Sequence, residues 1–386
     1  MKVIKTAIVI TKPYNAHVHL RQDQTMETVA KFSARSFCGA TVMPNTTPPI
    51  RTVDEASDYR DKILVALQED GITNFVPRMT LYLTDNTSED EIKEAVETDW
   101  IIGGKLYPQG VTTNSDGGIS SIISKKAVKV FEAMQKHGLP LLIHGEHPDK
   151  NVDIFDREKR FLEAYMFTWF NKNFTGLKIV LEHITCKDTV DYIRDCFFSL
   201  GLDVAATITP HHMLFNRNDI FANGIDPHFY CKPILQRIED SKAVTEAAYS
   251  KDACFFLGTD SAPHPEYRKI MRGGAAGIFN EVCAIEMCLE AAERHELRVS
   301  PLEIIEFTSI NAPEFFGFEP SKETLTIDKI MGGTEEGGDD GVRFTPNRIF
   351  DKRTSTFFHT PLYRHNLSWK VNWEREDLMA QVQEPS

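Results

Sequence analysis

Short, continuous apolar runs alternate along this chain with longer stretches of helical period. Runs at 16–20, 40–43, 75–83, 100–106, 139–144, 177–182, 202–207 and 253–258 read as strands. The run at 253–258 is continuously apolar and bounded by Gly and Pro, as a parallel strand covered on both faces is. Between these runs, 53–67, 90–97, 125–137, 156–171, 187–198 and 238–250 carry the helical pattern. Alternating βα units predict an α/β protein with a parallel sheet, and eight of them predict a (β/α)8 TIM barrel. A doubly wound sheet shares the alternation, but no G-x-G-x-x-G follows a strand, which removes its nucleotide-binding argument. No repeat of fixed period and no linker divides the first 315 residues. The expected organisation is a barrel over 1–315 and a C-terminal extension over 316–386 packed on it. Within the extension, 332–341 (GGTEEGGDDG) reads as an acidic loop or turn. The stretch 342–373 has aromatic residues in partial alternation and reads as a tail or small sheet.

Composition narrows the class of protein. A formal net charge of -13 without a basic patch disfavours a nucleic-acid partner. The AIVI stretch near the N-terminus is too short for a signal-peptide core, and no apolar run reaches membrane-span length. Seven cysteines without C-x-x-C spacing read as buried thiols in a reducing compartment, so a cytoplasmic location is expected.

Candidate chemistry collects where the strands stop. The run ACFFLGTDSAPH passes from apolar residues to Asp260 and His264. In parallel barrels catalytic groups sit at the carboxyl ends of strands, although an Asp there also serves as a turn former or helix cap. The first strand ends in HVHLR, which sets His17 and His19 two positions apart and on one side of a strand. Two such imidazoles bind one metal ion, zinc by ligand type, or are simply buried and hydrogen-bonded. Lys105 sits in the apolar run IIGGKLYP, where an unpaired ammonium is costly. It is either salt-bridged or carboxylated by carbon dioxide to a carbamate that bridges two metals. His144 in LPLLIHGE and His183 in LKIVLEHIT each end a further run.

The ordered series HVHLR, VMPNTTPP, KLYPQGVTTNS, LIHGE, EHIT, ATITPHH, YCKPIL and GTDSAPH resembles the dihydroorotases of the amidohydrolase superfamily over nearly the whole barrel. Ser261 in DSAPH and the intact TTNS loop resemble the shorter, stand-alone type rather than the multifunctional one, which tends to read DHAPH. The family usually carries Asp two residues before the first histidine. Here that position is Asn15, and an amide supplies no negative charge behind the ligand.

The resemblance implies reversible cyclisation of N-carbamoyl-L-aspartate to dihydroorotate in pyrimidine synthesis, by a hydroxide shared between two divalent metal ions. His17, His19 and Asp260 would hold one ion and His144 and His183 the other, with carboxylated Lys105 between them. Asp260 would also move the proton. Arg21, Asn45 and His264 match positions that bind the substrate carboxylate. Arg21 is otherwise a salt-bridge residue and Asn45 a turn former. Thr112, Thr113 and Asn114 match a loop that closes over substrate. Lys232 and Ala276 match positions that touch substrate mainly through backbone, and His212 and Cys231 are taken as structural. The assembly left open is a homodimer. Dihydropyrimidinase or allantoinase would share the metal residues but not the carboxylate-binding set. An inactive relative serving as an assembly partner would have lost metal ligands, and none is lost.

Overall fold

The computed structural model describes residues 3–222, 224–331, 348–351, 355–360 and 369–371. The acidic stretch 332–341 and most of 342–373 lie outside the described residues. Among the described residues, one sheet holds eight strands in sequence order, each parallel to its neighbour. After an N-terminal strand β1 (Val3–Thr11), these are β2 (Tyr14–Val18), β3 (Gly39–Val42), β4 (Val76–Tyr82), β5 (Ile101–Leu106), β6 (Leu141–His144), β7 (Ile179–Glu182), β8 (Val204–Ile208) and β9 (Phe255–Leu257). All eight expected strands are present, within a few residues of their expected limits. Every residue of β2, β5 and β9 is buried, the polar Asn15, His17 and Lys105 included, as in a parallel sheet covered on both faces.

Local signals set the helices between strands. Thr52 and Glu55 form a capping box ahead of Val53–Glu69, and Ser88 and Ser124 cap Glu89–Glu97 and Lys125–His137. The last of these ends at Gly138, whose φ of 79° suits a left-handed cap.

The barrel closes between β2 and β9, and the closing bonds belong to the residues at the strand ends. Asp260 N donates to His17 O at 2.9 Å, and His19 N donates to Ser261 O at 3.0 Å. Gly258 permits this approach, since a Cβ there would lie 2.9 Å from His17 Cβ and 2.8 Å from Thr207 Cβ.

Strand β1 lies outside the barrel. It pairs antiparallel with β10 (Thr324–Met331), whose other edge takes β13 (Trp369–Val371). The hairpin of β11 (Arg348–Asp351) and β12 (Thr356–His359) packs Phe358 against Phe279 and sets His359 Nε2 3.0 Å from Glu266. The N-terminal strand and the C-terminal segment therefore share one small sheet. No helix among the described residues is long and apolar enough to cross a membrane.

Candidate active site

Parallel strands bring the polar ends of β2, β5, β6, β7 and the segment after β9 to one mouth of the barrel. His17 lies in β2, but His19 and His183 fall just past their strands, and Asp260 lies three residues beyond β9. His183, Asp260 and Arg21 have φ of 45°, 45° and 66°. For residues with a Cβ, such backbone costs of order 1–3 kcal/mol and gathers at functional sites. The left-handed backbone at Arg21 also means that an extended, period-two path does not explain where its side chain points.

Two sets of donor atoms converge. His17 Nε2 and His19 Nε2 are 3.3 Å apart and lie 3.3 and 3.1 Å from Asp260 Oδ1. A tetrahedral site with bonds of about 2.0–2.1 Å spaces its ligand atoms by about 3.3 Å, so these three atoms fit one divalent ion. His144 Nδ1 and His183 Nε2 are 3.1 Å apart. Glu146 fixes the tautomer of His144: it lies 2.7 Å from Nε2, which as N–H donates to it and leaves the Nδ1 lone pair facing His183.

Lys105 is fully buried, with Nζ against Glu182 Oε2. Its charge acts on His17, His144 and His183, lowering each, after burial as the larger cause. Burial drives Lys105 itself well below the usual lysine range, opposed by Asp260. Several buried atoms here have no aligned hydrogen-bond partner: Lys105 Nζ, His183 Nδ1, His17 Nδ1 and both carboxylate oxygens of Glu182. His17 Nδ1 is only 3.0 Å from Glu182 Oε1, so proximity without alignment leaves that pair unsatisfied. Orphaned donors and acceptors of this kind, gathered on imidazole and carboxylate, suit a centre completed by cations.

Burial, the largest single cause, would raise Asp260, yet hydrogen bonds from His17 and His19 together with the charges of His17 and His183 hold the carboxyl well below its usual range. Burial takes His19 down to about 4 and Arg21 to about 10.

Above the imidazoles, a pocket is lined by Arg21, Asn45, Thr112, Thr113, Lys232 and Ala276. Arg21 Nε donates to Pro263 O at 2.8 Å, and its terminal nitrogen lies 3.0 Å from His264 Nε2. That ring nitrogen is also 2.9 Å from Ala276 O. It accepts from the guanidinium in one tautomer and donates to the carbonyl in the other. His264 thus stands between Arg21 and Ala276, both of which line the pocket. Asn45 Nδ2 donates to Thr113 O at 3.1 Å and Asn114 Nδ2 to Asn45 O at 2.9 Å. Asn45 therefore ties down the 111–115 loop. Lys232 adds a third tie, from Nζ to Val111 O at 2.6 Å, so its side chain holds the loop. His212 is satisfied on both ring nitrogens, by Thr209 at 2.6 Å and Pro233 O at 2.9 Å, a structural role.

The strand-end pattern does not single out Glu146, Glu182, Tyr107 or Glu281. The first two stand inside the quoted motifs LIHGE and EHIT, where an acid beside each histidine was the available signal. Tyr107 lines the pocket one step beyond β5, and nothing in the motif marked it.

A profile of the amidohydrolase family matches residues 8–330. The chain is 47% identical to a dihydroorotase of Picosynechococcus over 323 residues, 83% of this chain and 90% of that protein. Among solved structures, dihydroorotase from Campylobacter jejuni superposes with a TM-score of 0.79 at 32% identity, covering 95% of this chain and 98% of that one. Dihydroorotase from Saccharomyces cerevisiae, solved with 5-fluoroorotic acid, superposes at 0.81 with 28% identity over 95% and 99% of the two chains. Likeness of this extent, on a barrel whose strand ends converge in this way, means that the chain belongs to the amidohydrolase family and, within it, to the dihydroorotases.

Proposed function

We propose that the protein catalyses the reversible cyclisation of N-carbamoyl-L-aspartate to dihydroorotate at a two-metal centre, which zinc would fill and which a carbamate on Lys105 would help to hold. The observation that carries the choice of substrate is Arg21. It is held by Pro263 and His264 and lines the same pocket as His17, His19 and Asp260. A guanidinium facing a cation centre is repelled unless an anion lies between, and the carboxylate of dihydroorotate is such an anion. Dihydropyrimidinase and allantoinase readings leave Arg21 without that partner. The inactive reading lacks any missing ligand to support it.

His17, His19 and Asp260 would hold one ion, and His144 and His183 the other. Bound divalent ions supply Lewis acidity at the ring amide carbonyl and acidify water at neutral pH. In ring opening, Asp260 accepts a proton from the attacking water and passes it to the leaving nitrogen as the carbon–nitrogen bond breaks. The reverse steps close the ring. Arg21, Asn45 and His264 orient the substrate acid, with Lys232 and Ala276 shaping the wall beside it. Thr112 and Thr113 cap the pocket and exclude water. All seven cysteines are unpaired, which supports a cytoplasmic setting.

Chelator-treated protein is expected to lose ring opening of dihydroorotate, followed in the ultraviolet, and to recover it on adding two equivalents of zinc per chain. Full recovery at one equivalent contradicts the two-metal reading. Replacing Thr112 and Thr113 together by Ala is expected to lower turnover about 10- to 100-fold, the worth of hydrogen bonds to a charged substrate. Zinc content should match the parent; its loss would move the loop into the metal-binding machinery.

A further inference from the structure

The seam between β2 and β9 contains a buried pair that the proposed mechanism does not use. Asn15 and Glu281 are both fully buried. Asn15 Oδ1 accepts from His17 N at 3.2 Å and from Thr259 N at 2.9 Å. One amide oxygen thus joins the backbone of His17 to that of the residue before Asp260, in the part of the seam that has no regular strand ladder. Asn15 Nδ2 donates to Thr259 Oγ1 at 2.8 Å and to the two oxygens of Glu281 at 3.0 and 3.2 Å. Glu281 further accepts from Ser33 Oγ at 2.6 Å and Thr259 Oγ1 at 2.8 Å. No Lys or Arg pairs with it among the described residues, so three neutral donors alone offset the burial of a carboxylate.

We propose that Glu281 is a positioning residue for the metal centre, acting through Asn15 and Thr259. The negative charge that an amide at position 15 lacks stands one hydrogen bond further back. It orients the Asn15 amide so that Oδ1 must face the seam, and it fixes the Thr259 hydroxyl from the same side. Held at both ends, the seam sets how far His17 Nε2 stands from Asp260 Oδ1. This inference rests on the metal-centre reading above.

An exchange of the pair tests it. With Asn15→Asp and Glu281→Gln together, a carboxylate at 15 still accepts from His17 N and Thr259 N. The new amide then donates back from position 281. Asn15→Asp alone sets two buried carboxylates against each other, and Glu281→Gln alone removes the charge. We expect each single variant to bind zinc about 10- to 100-fold more weakly than the parent, by competition with a chromophoric chelator. The double variant should return to within a few fold. Apo-protein melting is measured alongside, because a purely structural role would lower melting in all variants without changing zinc affinity in the folded protein. Folded Glu281→Gln with parental affinity, or a double variant no tighter than the weaker single, overturns the inference. If Glu281→Gln fails to fold, the comparison of Asn15→Asp with the double variant decides. Parent that opens dihydroorotate while Glu281→Gln binds zinc normally ends this inference and leaves the function standing. Parent that shows the exchange pattern but leaves dihydroorotate intact does the reverse. Parent that binds no zinc ends both.

Discussion

Lys105→Ala is expected to lose at least about 100-fold in kcat/KM for dihydroorotate and to retain at most one zinc per chain. Removing mere supporting partners of metal ligands costs about 10- to 100-fold, and Lys105 is proposed to be a ligand itself once carboxylated. The side chain is fully buried, and its charge reaches imidazoles of both donor sets. Adding a short carboxylic acid with excess zinc should restore part of the activity by placing a carboxylate where the carbamate stood. This rescue separates two accounts of the same lysine. If Lys105 only neutralises Glu182, against which its Nζ lies, an added acid would meet that carboxylate as a like charge and restore nothing. Zinc content by mass spectrometry and initial rates decide between them. Full activity with full zinc would remove Lys105 from the centre.

Arg21→Met is expected to reduce kcat/KM for dihydroorotate by about 2–5 kcal/mol, the cost of breaking a buried charged pair. The substitution keeps the apolar stem but removes the charge and the donors that now reach Pro263 O and His264. Hydrolysis of dihydrouracil, the same ring without the acid, should stay at the parent's rate. Zinc content should be unchanged, since Arg21 belongs to neither donor set. Equal losses on both substrates would deny Arg21 its role in carboxylate recognition.

The barrel was legible because its strands are mostly buried and read as short, largely apolar runs spaced by stretches of helical period. His17, His19, His144, His183 and Asp260 were legible for the same reason, as polar residues at the points where those runs end. Local pattern could not reveal what distant segments do to one another. Asn15 reads as the loss of a charge until Glu281, 266 positions away, is brought against it. Strand β1 has apolar residues enough for a strand, but its partner is β10, more than 300 residues later. Asn45 reads equally as a turn former, and only contact with the 111–115 loop shows its amide to be a tie. The left-handed backbone of Arg21, His183 and Asp260 likewise has no sequence signature in residues of these types.

The central claim is that this pocket recognises a cyclic amide by its carboxylate. The measurement that tests it most directly is the ratio of kcat/KM for ring opening of dihydroorotate to that for dihydrouracil, on parent protein loaded with zinc. A preference for dihydroorotate of at least about 30-fold is expected, from the lower end of the energy assigned to the Arg21 contact. A ratio near one, or a preference for dihydrouracil, would contradict it.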